Sequence, residues 1–145
     1  MQIQPYLFFG GRCDEAIAFY RDTLGAQVQL LMRYRDAPPN PDMPIDAAAA
    51  DKVMHASLRI GESMLMCSDG DVRQAAPQVH DGYSLSLNPA TLDEGRRRFD
   101  ALAAGGTVIM PFGPTFWAIG FGMLRDRFGV HWMINVEDPA ARPAA

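Results

Sequence analysis

The alternation of apolar and polar residues is clearest in residues 117–136, W-A-I-G-F-G-M-L-R-D-R-F-G-V-H-W-M-I-N-V, near the end of the chain. This pattern predicts two strands joined by a polar turn. Because successive side chains of a strand point to opposite faces, the second strand has one apolar and one mixed face. We expect the apolar face to meet the core and the mixed face to line a cavity. The apolar face holds Val130, Trp132, Ile134 and Val136, and the mixed face holds His131, Met133 and Asn135.

The first half of the chain predicts a strand, a helix and three further strands. Residues 3–9 form a short apolar run ended by two glycines, and the helix has apolar residues at three- and four-residue spacing. Acidic residues in the first turn and Gly25 after the last turn mark its two ends. The helix stripe is Ala16, Phe19, Tyr20 and Leu24, and the later strands cover 27–34, Val53–Ile60 and Ser63–Ser68.

Residues 36–50 contain four prolines, which lack a backbone donor and fix their own φ. This segment therefore cannot be an interior strand. Two interpretations remain open: an excursion between strands, or a flap over a pocket, since long loops in compact domains are often binding elements.

The second half repeats the order of elements. Residues 83–87 predict a half-polar strand, and Thr91 with Glu94 forms a capping box that opens a helix ended by Gly105-Gly106. A strand over 107–110, a P-F-G-P turn and the closing hairpin follow. The chain thus predicts a strand-helix-three-strand unit twice. The stripe of the second helix is Leu92, Phe99, Leu102 and Ala103.

Composition excludes several classes of function. The 145 residues are 48% hydrophobic, which suits one domain with a sizeable core, and the net charge of −4 disfavours nucleic acid as a partner. We see no signal peptide and no apolar run long enough to cross a membrane. Cys13 and Cys67 form no close-spaced motif, so we expect reduced thiols and a cytoplasmic protein.

Four segments carry a resemblance to a known family: P-Y-L-F-F-G-G-R-C-D-E-A-I, H-A-S-L-R-I-G, P-T-F-W-A-I-G-F-G and D-R-F-G-V-H-W-M-I-N-V. The sequence resembles the vicinal oxygen chelate superfamily of glyoxalases, extradiol dioxygenases and bleomycin-resistance proteins, and within it the PhnB-like branch. The resemblance implies an α+β fold of two βαβββ modules whose curved mixed sheet encloses a cleft, and commonly a homodimer. We expect one domain over 1–137, with modules at about 1–70 and 81–137, and a flexible tail over 138–145.

Metal-dependent members of this superfamily place one ligand on the first and last strand of each module. The resemblance carries those positions to Pro5, Met66, Ser84 and Met133, or to Leu65 and Tyr83 if the middle two are shifted by one. Neither set suits a divalent metal, because proline cannot coordinate and thioethers prefer soft copper. We therefore expect no metal cofactor.

The histidines are the next candidates. His55, Ser57 and Arg59 share one strand face, and His131 lies on the matching face of the last strand. Near-neutral pKa values would allow His55 with Arg59 to bind an anion or transfer protons. The alternative is that each histidine is a hydrogen-bonded, partly buried side chain without a catalytic role. His80, between the modules, is expected to be exposed.

Aromatic and methionine side chains give a further signal. Nine methionines, among them Met64 and Met66 on one strand face, predict either core and dimer packing or an apolar pocket. Thr115 and Trp117, beside the G-F-G segment, would form the rim of that pocket. Cys13, near a helix start, is a candidate for a lowered thiol pKa, whereas Cys67 should be inert.

These observations favour a protein of the PhnB-like kind that binds a small organic molecule in a metal-free apolar cleft. The predicted pocket residues are His55, Ser57, Arg59, Met66, Ser84, Trp117, His131 and Met133, with His55 and Arg59 as catalytic candidates. The alternative is a metal-dependent or histidine-based enzyme of the glyoxalase or dioxygenase type with a non-standard site. A third possibility is that assembly of the dimer is the main role.

Overall fold

The structure is a computed structural model that describes residues 1–71 and 79–140. The chain divides into two compact units, Met1–Gln78 (unit 1) and Val79–Ala145 (unit 2). Residues 141–145 of the predicted C-terminal tail lie outside the described residues.

Unit 1 has the predicted strand-helix-three-strand order. Its four strands form one sheet in the order β1-β4-β3-β2, with β1 parallel to β4 and the other pairs antiparallel. A short 3-10 helix, Tyr34–Asp36, follows β2. The elements are β1 (Tyr6–Phe8), α1 (Cys13–Leu24), β2 (Gln27–Arg33), β3 (Val53–Ile60) and β4 (Ser63–Ser68).

Unit 2 has the same topology. Its sheet order is β5-β8-β7-β6, again with the first strand parallel to the last. Each unit is therefore a four-stranded mixed sheet with one helix, and the α+β prediction with two βαβββ modules is confirmed. The elements are β5 (Leu85–Leu87), α2 (Leu92–Ala103), β6 (Thr107–Gly113), β7 (Ala118–Arg125) and β8 (His131–Glu137).

The helices begin and end for identifiable reasons. The buried carboxylate of Asp69 accepts a hydrogen bond from the Cys13 backbone N–H at 2.8 Å, which satisfies one of the donors at the start of α1. Gly25 ends α1 with a φ of 67°, a left-handed conformation that favours glycine. The hydroxyl of Thr91 caps α2 by accepting from the Glu94 N–H, which is the Thr91 half of the predicted capping box.

Each sheet buries one face under its helix. In unit 1 the helix face of the sheet contributes Leu7, Ala56, Leu58, Leu65 and Cys67, which pack with Ala16, Ile17, Tyr20 and Leu24 in one buried core. In unit 2 the core contains Leu124, Val130, Trp132, Ile134, Val136, Phe99 and Leu102. The predicted apolar face of the last strand is confirmed.

Buried Asp126 organises the β7–β8 turn. One of its carboxylate oxygens accepts the backbone N–H groups of Phe128 and Val130, and the other accepts the indole N–H of Trp132 at 2.9 Å. A buried carboxylate with three donors is well satisfied, and it fixes the turn against the core.

Several sequence predictions were wrong in detail. The first strand is shorter than 3–9, and Ile3 is fully exposed. The P-F-G part of the predicted turn belongs to β6, because an edge strand tolerates a proline where the ladder needs no donor. Leu92 is half-exposed. His80, which was expected to be exposed, is buried at 6% exposure, and its Nδ1 lies 2.6 Å from the Tyr83 hydroxyl.

Neither described helix is long and apolar enough to cross a membrane.

Candidate functional site

The face of each sheet that lies away from its helix, here called its open face, carries the candidate site residues. On the open face of unit 1, one row of side chains crosses all four strands. Tyr6 pairs with Met66, Met66 with Ser57, and Ser57 with Leu30. Tyr6 and Leu30 are exposed, and Met66 and Ser57 are intermediate. Met66 therefore lies on the face that the alternation predicted.

His55 lies next to this row and is hydrogen-bonded at both ring nitrogens. Its Nδ1 is 2.9 Å from the Tyr6 hydroxyl, and its Nε2 is 3.3 Å from the Ser57 hydroxyl. Hydroxyl groups can donate or accept, so the pair accommodates either tautomer of a neutral imidazole. The structure thus brings together the predicted residues His55 and Ser57 and adds Tyr6.

An aromatic surface surrounds His55. The Tyr6 ring centroid lies 5.5 Å from that of His55 and 5.1 Å from that of Phe8, whose side chain is half-exposed. Sequence reasoning missed Tyr6 and Phe8 because it read the first strand as wholly buried. Their alternation with buried Leu7 and Phe9 is the signal that identifies them.

Arg59 does not contact His55. Four residues further along β3, it lies roughly 13 Å from His55 at the usual rise of a strand. Its guanidinium donates a hydrogen bond to the Gln27 side-chain carbonyl on β2. The catalytic pair His55 and Arg59 therefore does not form within unit 1.

The open face of unit 2 also has a row of side chains that crosses all four strands, with different chemistry. Ser86 pairs with Met133, Met133 with Met123, and Met123 with Met110. Ser84, the predicted pocket residue, precedes β5, and the serine in register with Met133 is Ser86. This row is dominated by thioethers, in contrast to the hydroxyl-bearing row of unit 1.

His131 belongs to a polar cluster at one end of the unit 2 sheet. The Nη2 and Nε atoms of Arg125 lie 2.8 and 3.1 Å from His131 Nε2. The Asp81 Oδ1 atom lies 3.4 Å from the same His131 nitrogen. Asp81 accepts from Arg125 at 3.2 Å and completes the cluster, which sequence reasoning missed.

Trp117 is part of an exposed aromatic group. Its ring centroid lies 4.7 Å from that of Phe116 and 5.2 Å from that of Phe121, both edge-on, and Phe116 is 93% exposed. The neighbouring Gly120 and Gly122 lie on the helix face, where an added Cβ would come within 2.6 Å of aromatic side chains.

The positions at which relatives hold a metal do not fit one here. Met66 and Met133 lie within β4 and β8, and Pro5 and Ser84 precede β1 and β5. Two thioethers, a proline and a serine hydroxyl are a poor ligand set for hard or borderline divalent ions, and so is the set with Leu65 and Tyr83 in place of Met66 and Ser84. Within residues 1–71 and 79–140, no three His, Cys, Asp or Glu side chains are grouped as metal ligands.

The cysteines offer no activated nucleophile. Both are fully buried, and the Cys13 thiol is hydrogen-bonded to that of Cys67. This hydrogen bond, burial and the Cys67 and Asp69 side chains raise the pKa of the Cys13 thiol above its ordinary value. The lowered pKa expected for Cys13 was wrong, because the thiol interacts with Cys67, is buried and lies near the Asp69 carboxylate.

Known proteins share this architecture over most of its length. Protein YjdN of Escherichia coli is 39% identical over 142 residues, covering 94% of this chain and 95% of its own. The crystal structure of protein PA1353 from Pseudomonas aeruginosa is 44% identical with a TM-score of 0.81, covering 94% of this chain and 98% of that chain.

A more distant solved structure points to the PhnB-like branch. The PhnB protein of Bacillus cereus, described as a putative 3-demethylubiquinone-9 3-methyltransferase, is 26% identical with a TM-score of 0.74, covering 94% of this chain and 99% of that chain. The family described as the Glyoxalase/Bleomycin resistance protein/Dioxygenase superfamily matches residues 2–134. The resemblance inferred from the sequence is confirmed, and the chain belongs to that superfamily.

Proposed function

We propose that the protein binds a small organic molecule on the open face of unit 1, with no metal ion between ligand and protein. The observation that carries this proposal is His55, held between the hydroxyls of Tyr6 and Ser57 at 2.9 and 3.3 Å on an exposed face. Phe8 and Leu30, each 46% exposed, extend the apolar surface beside it. A mainly apolar surface with a few convergent polar groups is typical of small-molecule sites.

The side chains indicate the chemistry of the ligand. The Tyr6 and Phe8 rings favour a flat, partly apolar molecule, and thioethers such as Met66 adapt to different shapes. The imidazole and the two hydroxyls can each donate or accept a hydrogen bond. We propose an aromatic or conjugated ligand with one or two carbonyl or hydroxyl groups.

The open face of unit 2 is proposed as a second ligand-contact surface. The Trp117 ring, which contacts Phe121 edge-on, would supply a flat apolar contact. Met133 would supply a contact that adapts to the shape of the ligand. His131 and Ser84 would supply polar groups at its margin. Arg59 on β3 is retained as a peripheral contact for an anionic substituent.

We also propose that the protein is a homodimer in the cytoplasm. The support for the dimer is the family resemblance, in which members commonly pair, and the support for the cytoplasm is that Cys13 and Cys67 are free thiols. Light scattering coupled to size exclusion tests the dimer, and a mass of one chain would contradict it.

Methionine ε-methyl NMR tests the binding proposal, with catechol and quinoline as probes. We expect both probes to shift the Met66 methyl resonance of the wild type. In His55→Ala the affinity for each probe should fall about threefold to tenfold, as expected for the loss of one hydrogen bond. His80→Ala, a histidine outside the open face, is the matched control. No Met66 shift with either probe, or equal weakening by both variants, contradicts the proposal.

An enzyme of the glyoxalase or dioxygenase type is the second candidate. The Tyr6–His55 hydrogen bond favours it, because a phenol beside an imidazole can orient it for proton transfer. Assays of hemithioacetal isomerisation and catechol cleavage, with and without added Ni, Zn, Mn or Fe, would show turnover abolished by His55→Asn. Turnover unchanged by that substitution would exclude a His55-based mechanism.

A further inference from the structure

The Phe8 ring of the proposed ligand site lies between two neighbours. Its centroid is 5.1 Å from that of Tyr6, two residues earlier on β1. On the other side, a Cβ added at Gly70 would lie 3.2 Å from Phe8 Cδ1. Because β1 is parallel to β4 and Phe8 is in register with Ser68, Gly70 follows the ring along the sheet whereas Tyr6 precedes it. The missing side chain of Gly70 therefore sets how far the Phe8 ring can lie from Tyr6.

Hydrogen bonds fix the turn that contains Gly70. The Gly70 N–H donates to the Ser68 hydroxyl at 3.0 Å, and the Phe9 N–H donates to the Ser68 carbonyl at 2.9 Å. The Asp69 carboxylate, which is 1% exposed, accepts one backbone N–H at the start of α1 and one at the start of β3, each at 2.8 Å. This short turn thus ties β1, α1 and β3 together beside the Phe8 ring.

Tyr34, directly after β2, holds the same turn from another strand. Its hydroxyl donates a hydrogen bond to the Gly70 carbonyl, 36 residues away in sequence. Its backbone N–H donates to the Lys52 carbonyl at 3.2 Å, which fixes the other end of the residue. Gly70 itself has a φ of 69°, a left-handed conformation that favours glycine. The position of the Gly70 backbone against the Phe8 ring is therefore determined by several independent contacts.

We propose that Gly70 and Tyr34 are positioning residues that set the preference of the open face of unit 1 for ligands with two fused rings. This inference rests on the proposed function, because it concerns the same site. Gly70 leaves the space that the Phe8 ring occupies, and the Tyr34 hydroxyl holds the Gly70 carbonyl at the border of that space. Tyr6 and Phe8 then present a continuous aromatic surface. A side chain at residue 70 would push the Phe8 ring toward Tyr6 and shorten this surface.

Gly70→Asn tests the contact in the full chain without ligand. Asparagine tolerates a left-handed backbone better than most residues, so the variant should fold. Gly61→Asn is the matched control, because Gly61 has a φ of 57° in the same unit and a Cβ there would meet no described atom within 4 Å. The ring-proton NMR resonances of Tyr6 report on the neighbouring Phe8 ring. We expect Gly70→Asn and Tyr34→Phe to shift these resonances and Gly61→Asn to leave them unchanged.

Quinoline, with two fused rings, and catechol, with one ring, test the preference through the Met66 methyl resonance. We expect Gly70→Asn to weaken quinoline about threefold to tenfold and catechol less than about twofold, as for a displaced aromatic contact. In a Phe8→Leu background Gly70→Asn should change neither affinity, because it acts through the Phe8 ring.

Tyr34→Phe should weaken quinoline more than catechol, as Gly70→Asn does. Tyr83→Phe is its matched control, because it removes a hydroxyl that is hydrogen-bonded to His80 in unit 2. This control should leave both affinities unchanged.

Three results would overturn the proposal: unmoved Tyr6 resonances in Gly70→Asn, equal weakening of the two probes, or the same changes in Gly61→Asn. A wild type that binds neither probe would contradict the proposed ligand site and, with it, the preference for two rings. The Tyr6 resonances of the ligand-free protein then still decide whether the turn holds the Phe8 ring. Failure of the ligand site and failure of the positioning role are therefore distinguished.

Discussion

The indole N–H of Trp132 donates a hydrogen bond of 2.9 Å to the buried carboxylate of Asp126, six residues earlier. The same carboxylate accepts the backbone N–H groups of Phe128 and Val130. One side chain therefore ties the turn of the last hairpin to the core of unit 2.

We expect Asp126→Asn to lower the free energy of unfolding by about 1–3 kcal/mol, because an amide N–H₂ would then face a donor in a buried place. Urea unfolding followed by tryptophan fluorescence measures the change. Asp81→Asn, which removes an exposed ion pair with Arg125, should cost less than about 1 kcal/mol. Equal losses in the two variants would contradict the structural role of Asp126.

The glycines of β7 leave room on the helix face of the sheet for Phe99 of α2 and for Phe112 of the neighbouring strand β6. A Cβ at Gly122 would lie 2.6 Å from Phe99 Cε2 and 3.0 Å from Phe112 Cα. We expect Gly122→Ala to lower the unfolding free energy by about 1–3 kcal/mol through overpacking. Gly113→Ala is the control on the neighbouring strand, where an added Cβ meets nothing within 4 Å. If Gly122→Ala were as stable as Gly113→Ala, the added Cβ would be accommodated without overpacking, which would contradict this prediction.

The two thiols should be unreactive in the native state. Cys13 and Cys67 are fully buried, and the pKa of the Cys13 thiol is raised by its hydrogen bond with Cys67, by burial and by Asp69. We expect Ellman's reagent to label neither cysteine in the folded protein and both in guanidinium chloride. Fast labelling of one thiol under native conditions would refute this prediction.

We expect the free energy of unfolding to fall at alkaline pH because of Tyr83. Burial, and secondarily the Asp126 carboxylate, raise the pKa of the Tyr83 phenol above its ordinary value of 10.0. The native phenol thus holds its proton more tightly than the unfolded one. Its contribution to stability is complete below about pH 10 and is lost as the pH rises through the folded-state pKa.

Unfolding curves at about pH 7 and at several values between about pH 9.5 and 11 test this linkage. We expect stability to fall less steeply in Tyr83→Phe than in the wild type over the alkaline range. Identical slopes for the two proteins would mean that the phenol titrates alike in both states.

The order of elements could be predicted because the central strands alternate strongly. Leu58 and Leu65 are buried whereas Ser57 and Met66 lie on the other face, as their positions in sequence indicate. The outer strands were harder, since β1 and β5 have three residues each and one neighbour each. Their true ends depend on pairing with β4 and β8, which local sequence does not specify.

The candidate site was predictable only in part, for a related reason. Strand phase placed His55 and Ser57 on one face, and their proximity follows from two-residue spacing. Tyr6 meets His55 across 49 residues of sequence, and this contact depends on the register of three strands. Likewise, the alternation of side chains along β3 could not show that the Arg59 guanidinium donates a hydrogen bond to Gln27 on the adjacent strand.

The cross-strand rows on the two open faces differ in chemistry: the row of unit 1 includes Tyr6 and Ser57, and the row of unit 2 includes Ser86 and Met123. These side chains face away from α1 and α2, so exchanging them leaves both cores undisturbed. The two units can therefore differ in the side chains of their open faces while they keep the same topology.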